Sequence, residues 1–221
     1  MREPEQLINI QEPAWPMVLQ WLKSATNRYE LLAKDDDLAR QALHALQVTT
    51  RSPMGAIVYE TGGILIDDGW LRILGSGHPR LPRDPFTWTK AINEKDVMQI
   101  LFIADDASGG FFALNGGALG ENIGCVYYFP PDSLEWENLD VSYTDFLRWT
   151  LNGNLDQFYS TTRWAGWRKD VSFLKGDDVF SFFPFLWTDP ELPLNERSRD
   201  IVPIKECWEQ SQEIRRSLLS S

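Results

Sequence analysis

Residues 97–151 read VMQILFIADDASGGFFALNGGALGENIGCVYYFPPDSLEWENLDVSYTDFLRWTL, and their pattern decides the fold. Apolar, β-branched and aromatic runs lie near Val97–Ala104, Gly110–Asn115 and Ile123–Phe129, separated by an acidic-glycine turn at Asp106–Gly110 and a wider NGGALGEN connection. Runs of this length bounded by Gly, Asn and Asp predict consecutive strands. Ser142-Tyr-Thr-Asp145 then fits a capping box, with Asp where Glu or Gln is usual. A helix through Phe146, Leu147, Trp149, Thr150 and Leu151 should close at Asn152-Gly153. The stretch is also one-signed: from Asp96 to Leu147 there are nine Asp and Glu and no Lys or Arg. Such acidity belongs to a folded surface rather than a tail. A one-signed face attracts partners of opposite sign and repels nucleic acid.

Upstream, residues 1–12 read as a loose leader. Pro13 and Pro16 suit a helix start, with Trp15, Val18, Leu19 and Leu22 on one face. Helical spacing runs from Tyr29 to Gln47, and the acids Asp35–Asp37 are placed to break it and start a second helix. After Ser52-Pro53, GAIVYET and GILIDDGWLRILG read as strands turned at Gly62-Gly63 and Asp68-Gly69. The proline-rich region 76–89 reads as a long loop, of the kind that is often functional, and carries Arg80 and Arg83. Downstream, a short helix is expected at Leu155–Tyr159. Residues 161–203 form an aromatic, Pro-rich elaboration with one or two edge strands. A helix from Ile204 to Leu218 follows, begun by Pro203 and favoured by Arg215-Arg216 near its end. The expectation is a single domain over residues 1–221.

A chain of 221 residues can bury roughly 70% of its unfolded surface. Hydrophobic residues at 43% and charged residues at 24% fit a soluble globule. The ten Trp read mainly as core and rim packing. A net charge of −11 and a pI of about 4.7 argue against nonspecific binding to nucleic acid or anionic membrane. Cys125 and Cys207 read as reduced, buried thiols. No signal peptide or membrane span is apparent, so the expected compartment is the cytoplasm.

Chemical motifs are sparse. His44 and His78 stand alone, without C-x-x-C, H-x-x-x-H, a G-x-S-x-G elbow or a Walker loop. The spacing after Asp35–Asp37 lacks the later ligands and closing Glu of an EF-hand. The doublets Asp67-Asp68, Asp105-Asp106 and Asp177-Asp178 cannot each form a catalytic dyad, because neighbours on a strand point to opposite faces. Asp67 or Asp68 beside Asp105 or Asp106 would make a Mg²⁺ or acid–base site conceivable. Turn acids that bond their own backbone are the commoner case. Trp164 and Trp167 with Arg163, Arg168 and Lys169 read as internal cation–π packing or ion pairs to the acids, ahead of a base-stacking platform.

The parts LFIADDASGGFFALN, IGCVYYF and SYTDFLRWTL resemble the SUKH superfamily, over about Ala33 to Tyr159. GGILIDDGWLRILGSG is also similar to a bacterial branch of unknown function associated with that superfamily, and there the likeness covers most of the chain. The resemblance implies an α+β domain with helices on a curved, largely antiparallel or mixed sheet. It also implies a protein-binding role, since many members are immunity proteins that neutralise toxins, often nucleases. It brings no catalytic residues. The long 161–203 region and the 76–89 loop depart from compact members.

The expectation is a non-catalytic protein-binding domain, an immunity protein whose acidic surface covers the basic groove of a toxin. Asp67, Asp68, Asp105 and Asp106 are the candidate contacts, with Trp88 as an aromatic anchor. No cofactor, metal, nucleic acid or membrane is expected. The alternatives are an Asp-dependent, metal-binding hydrolase and a regulatory protein that forms homodimers.

Overall fold

The computed structural model describes residues 1–93, 99–188 and 192–219. The fold is α+β, built around a seven-stranded sheet in which every neighbouring pair is antiparallel. The strands lie in chain order, β1 (Tyr29–Leu32), β2 (Gly63–Ile66), β3 (Leu71–Leu74), β4 (Ile100–Asp106), β5 (Phe111–Asn115), β6 (Cys125–Phe129) and β7 (Glu137–Ser142). β1 and β7 are its edges, so the sheet is open. Val97 and Met98, expected at the start of β4, lie outside the described residues.

Both faces of the sheet are covered, which is why the central strands read as unbroken apolar runs. Ile64 and Ile66 of β2, Leu101 and Ile103 of β4, and Phe112 of β5 join one core. Leu65, Ile100, Phe102, Phe111 and Ala113, their alternating neighbours, join the other. The first core takes helices α2 (Trp15–Lys23), α4 (Pro53–Glu60), α6 (Tyr143–Asn152), α7 (Leu155–Phe158) and α8 (Trp167–Val171). The second takes α5 (Pro85–Ile92) and α9 (Ile204–Leu219). The remaining helices are α1 (Pro4–Leu7) and α3 (Asp36–Leu46). A separate antiparallel pair, β8 (Asp178–Phe183) and β9 (Ser198–Pro203), sends Phe180 and Phe182 into the first core and Val179 into the second. Among the described residues no helix is long and apolar enough to cross a membrane.

One irregularity decides where the acids go. β4 carries a bulge against β5 between Phe102 and Ala104, so Ile103 and Ala104 both serve the first core. The bulge reverses the alternation from there on. Asp105 therefore pairs across the strand with Arg72, whose neighbours Leu71 and Ile73 serve the first core. Asp106 turns to the opposite face.

The β2–β3 hairpin forms as expected, with Asp67, Asp68 and Gly69 all at positive φ (50°, 62° and 89°). α6 is capped as expected: the Ser142 hydroxyl accepts from the Asp145 amide. Asp35 starts α3 by accepting from the Asp37 and Leu38 amides.

Four local expectations are corrected. Residues 1–12 are not a loose leader, because α1 seats Leu7 fully buried and the Leu7 carbonyl accepts from the Thr50 amide. Tyr29–Leu32 is a strand rather than helix, since its backbone pairs with β2. GAIVYET lies in α4: Ser52 caps it, Pro53 occupies its first turn, and these outweigh the β-branched Ile57 and Val58. Gly55 is needed there, because a Cβ would lie 2.1 Å from the Thr49 carbonyl oxygen. The 76–89 loop stops at Asp84, whose carboxylate caps α5 with Pro85 in the first turn. β7 carried no strand signal, because its polar sequence ENLDVS is an exposed edge.

Leu7→Ala should cost about 2–5 kcal/mol, the usual range for emptying a filled core site. Urea unfolding measures it; an unchanged midpoint would mean the N-terminal turn contributes nothing to the core.

Candidate functional site

The acids expected to form a binding face sit in three separate environments. Asp105 is fully buried between two arginines: Arg72 Nε is 2.6 Å from Oδ1 and Arg83 Nη1 is 2.6 Å from Oδ2. Both guanidiniums are nearly buried as well, at 3% and 5% exposure. Their remaining donors run outward. Arg72 donates to the Asp178 carbonyl (2.7 Å) and, more weakly, to the Asp106 carbonyl (3.2 Å). Arg83 donates to the Gly176 carbonyl (2.6 Å) and to the half-exposed Asp177 carboxylate (2.7 Å), and lies 4.8 Å from the Trp88 ring centroid. Burial is the largest influence on Arg72 and lowers its pKa, with Asp105 opposing that shift. The network ties β3, β4, the loop before α5 and the start of β8 together.

Asp106 has no cation on its carboxylate. Its Oδ1 accepts from the Ser108 amide (2.9 Å), the Ser108 hydroxyl (2.6 Å) and the Gly110 amide (3.0 Å), and its Oδ2 from the Tyr128 hydroxyl (2.8 Å). Burial raises its pKa, and these hydrogen bonds pull the other way. The Tyr128 phenol is raised well above its ordinary value, first by burial and then by the Asp106 charge. Position 110 must be glycine, because a Cβ there would fall 2.2 Å from Asp106 Oδ2.

Asp67 is buried in the β2–β3 turn and pairs with Arg163 (2.7 Å) and with Arg168. Arg163 lies against the rings of Trp167, Trp70 and Tyr159, at 4.1, 4.9 and 5.0 Å from their centroids. The basic aromatic run is therefore internal packing and acid pairing, as its sequence suggested. Asp68 is exposed and takes Arg168 at 2.9 Å and Arg28 at 3.4 Å.

Of the five candidate contacts, Asp67, Asp105, Asp106 and Trp88 are buried, and Asp68 alone is exposed. Four of the five are thus enclosed in the fold, which does not fit them as surface contacts, and the five form no open acidic patch. Asp67 and Asp105 hold different arginines and do not make a paired-carboxylate centre. Among the described residues, no three His, Cys, Asp or Glu side chains gather as a metal site. Sequence reading missed Arg72 as the partner of Asp105. Arg83 was visible as a base in an unusual loop, but its destination was not.

The open acids lie elsewhere. Glu121, Asp132, Glu135, Glu137 and Asp140 are exposed around the β5–β6 connection, the β6–β7 connection and the β7 edge. None has an ion pair among the described residues; Asp145, further along, reaches Arg148 only at 4.0 Å. A cleft of about 400 Å³ opens beside the buried network, lined in part by Asp68, Arg72, Arg80, Leu174, Lys175 and Asp177.

The family model described as "Protein of unknown function DUF2625" matches residues 4–207. The chain is 54% identical over 215 residues to the uncharacterised protein YbfG of Escherichia coli (strain K12), covering 97% of this chain and 98% of that protein. It is 45% identical over 208 residues to an uncharacterised protein of Haemophilus influenzae (strain ATCC 51907 / DSM 11121 / KW20 / Rd), covering 93% and 91%.

The two neighbouring acids should respond differently to neutralisation. Asp105→Asn strands two buried guanidiniums and should cost about 3–5 kcal/mol. Asp106→Asn keeps the Oδ1 contacts and can face the Tyr128 hydroxyl with its amide, so about 1 kcal/mol is expected. The folded-state pKa of Asp106 lies above its unfolded value, so its contribution to stability is present in acid and lost as pH rises through the folded value. Urea titrations should show wild type losing stability relative to Asp106→Asn with rising pH. A flat difference would contradict this environment for Asp106.

Proposed function

Because the chain belongs to the DUF2625 family, whose function is unknown, we propose its role from its own surface: a non-catalytic protein-binding domain that captures a basic partner through the acidic β5–β7 side. The carrying observation is a division of charge. Acids of the β2–β3 turn and of β4 are consumed inside the molecule, whereas Glu121, Asp132, Glu135, Glu137 and Asp140 stay exposed without cations among the described residues. Exposed like charges of this kind speed the encounter with an oppositely charged protein and oppose contact with nucleic acid.

The antiparallel sheet with helices on it is compatible with the SUKH-like resemblance, and an immunity protein that covers a toxin's phosphate-binding groove is the form of the reading we favour. Both cysteines are free, which fits action inside the cell. The acids that motivated a metal-dependent hydrolase are instead ion-paired or hydrogen-bonded within the protein. That weakens the alternative.

β7 is unsuited to adding a partner's strand. Its register against β6 is broken between Cys125 and Tyr127, Asp140 has φ of 55°, and the Asp140 amide donates to the Asn138 side chain. Bulges and charges on an edge oppose strand pairing. The partner is therefore met by side-chain charge rather than by backbone pairing.

The test is capture from the source cells at low and high salt, using wild type and the triple variant Glu135→Lys/Glu137→Lys/Asp140→Lys. The expected result is a basic protein held by wild type at low salt, released at high salt, and not held by the variant. Substitutions at exposed positions such as Glu135 and Glu137 should change stability by no more than about 0.5 kcal/mol each, and Asp140→Lys should cost more because a φ of 55° disfavours residues other than Gly, Asn and Asp. Equal retention by both proteins, or retention indifferent to salt, would sink electrostatic capture.

A further inference from the structure

One face of α9 points to a second, chemically different site. Trp208, Gln212 and Arg215 recur at i, i+4 and i+7, so they lie in one stripe along the helix. Trp208 is fixed: its indole N–H donates to the Ile92 carbonyl at 2.8 Å, and its ring meets Phe111, Phe102 and Phe129 at 4.9, 5.0 and 5.3 Å. One turn on, the Gln212 Nε2 is buried with no hydrogen-bond partner. Buried donors are nearly always paired, so an orphan in a cavity wall points to an acceptor that enters from outside. A further turn on, Arg215 is half-buried and makes no ion pair or hydrogen bond among the described residues.

These three side chains border a cavity of about 480 Å³, walled also by Ile100, Leu119, Trp136 and Glu135. That volume lies within the ~300–1,000 Å³ typical of small-ligand pockets. The walls thus supply the partly exposed Trp136 ring and the rim of the buried Trp208 for a flat apolar body, and for an anion an unpaired guanidinium with the buried, unpaired Gln212 amide donor beside it. Arginine favours carboxylate or phosphate through its planar fork of donors. Glu135 is exposed at the same cavity and disfavours a second negative charge on the ligand.

We infer that this cavity binds a small organic acid with a flat, apolar body, its carboxylate on Arg215 and Gln212 and its body against Trp136 and Trp208. The inference does not rest on capture of a basic protein, because the ligand has the opposite charge and the walls are different side chains, Glu135 apart.

The probes are benzoate and indole-3-carboxylate, titrated calorimetrically into the full chain beside neutral benzamide and cationic benzamidinium. The carboxylates should bind saturably and at least about tenfold more tightly than either counterpart. Arg215→Gln should weaken benzoate about tenfold, and Gln212→Leu should weaken it while leaving the ligand-free melting temperature unchanged or raised. Glu135→Gln should tighten it, since a like charge is removed. No saturation at millimolar concentrations, equal binding of the three benzene derivatives, a preference for benzamidinium, or affinity indifferent to Arg215→Gln would each overturn the inference.

Discussion

Asp105 sits at full burial between Arg72 and Arg83, and much of the structure is organised by that arrangement. A lone carboxylate at this depth would be prohibitive, and so would either guanidinium. Together they are tolerated only because the other donors reach backbone carbonyls at Gly176 and Asp178 and the carboxylate of Asp177. Those acceptors come from the segment that leads into β8, far beyond β4 in sequence. The network therefore does more than neutralise charge. It fixes the proline-rich loop and the start of β8 against the sheet, where Phe180 donates its amide to the Ala107 carbonyl and Ile204 donates to that of Asp177.

The bulge in β4 is what makes this possible. Strict alternation from Leu101 would have put Asp105 in the core with Phe112 and Trp70, and Asp106 on the arginine side. One extra residue reverses the assignment, and each acid then finds a matched environment. Asp105 meets two cations, and Asp106 meets four neutral donors. Charge is thus sorted by position in the fold. Interior acids serve architecture, and those at the β7 side remain available to solvent and to partners. The bulged, acidic β7 edge also resists aggregation by strand addition, so the same charges that can attract a basic surface protect the sheet.

Elements with local punctuation were legible in the sequence: the Asp68-Gly69 hairpin, α6 with Ser142 and Gly153 at its ends, the helix started by Asp35, and α9. Elements whose identity depends on distant partners were not. Tyr29–Leu32 becomes a strand because β2 lies beside it, and Ile57 and Val58 become helical because a capped first turn outweighs their β preference. The acids were legible as doublets, and the rule that neighbours face opposite ways held for Asp105 and Asp106. Their burial was not legible, because it depends on Arg72, 33 residues away, and on Arg83, 22 residues away. The α9 stripe was visible only as an apolar helix face, since nothing local shows that Gln212 lacks an acceptor.

The central claim is that the buried arginine–carboxylate network makes the 161–203 elaboration and the sheet a single cooperative unit. Native-state hydrogen exchange on the wild-type chain tests it most directly. The amides of Phe180 and Ile204 should open only with the amides of Phe102 and Phe112 in the central strands, at the same free energy and with the same denaturant dependence. Exchange of Phe180 and Ile204 at much lower free energy, while the central strands stay protected, would show that the elaboration is a loosely docked appendage and would contradict the account.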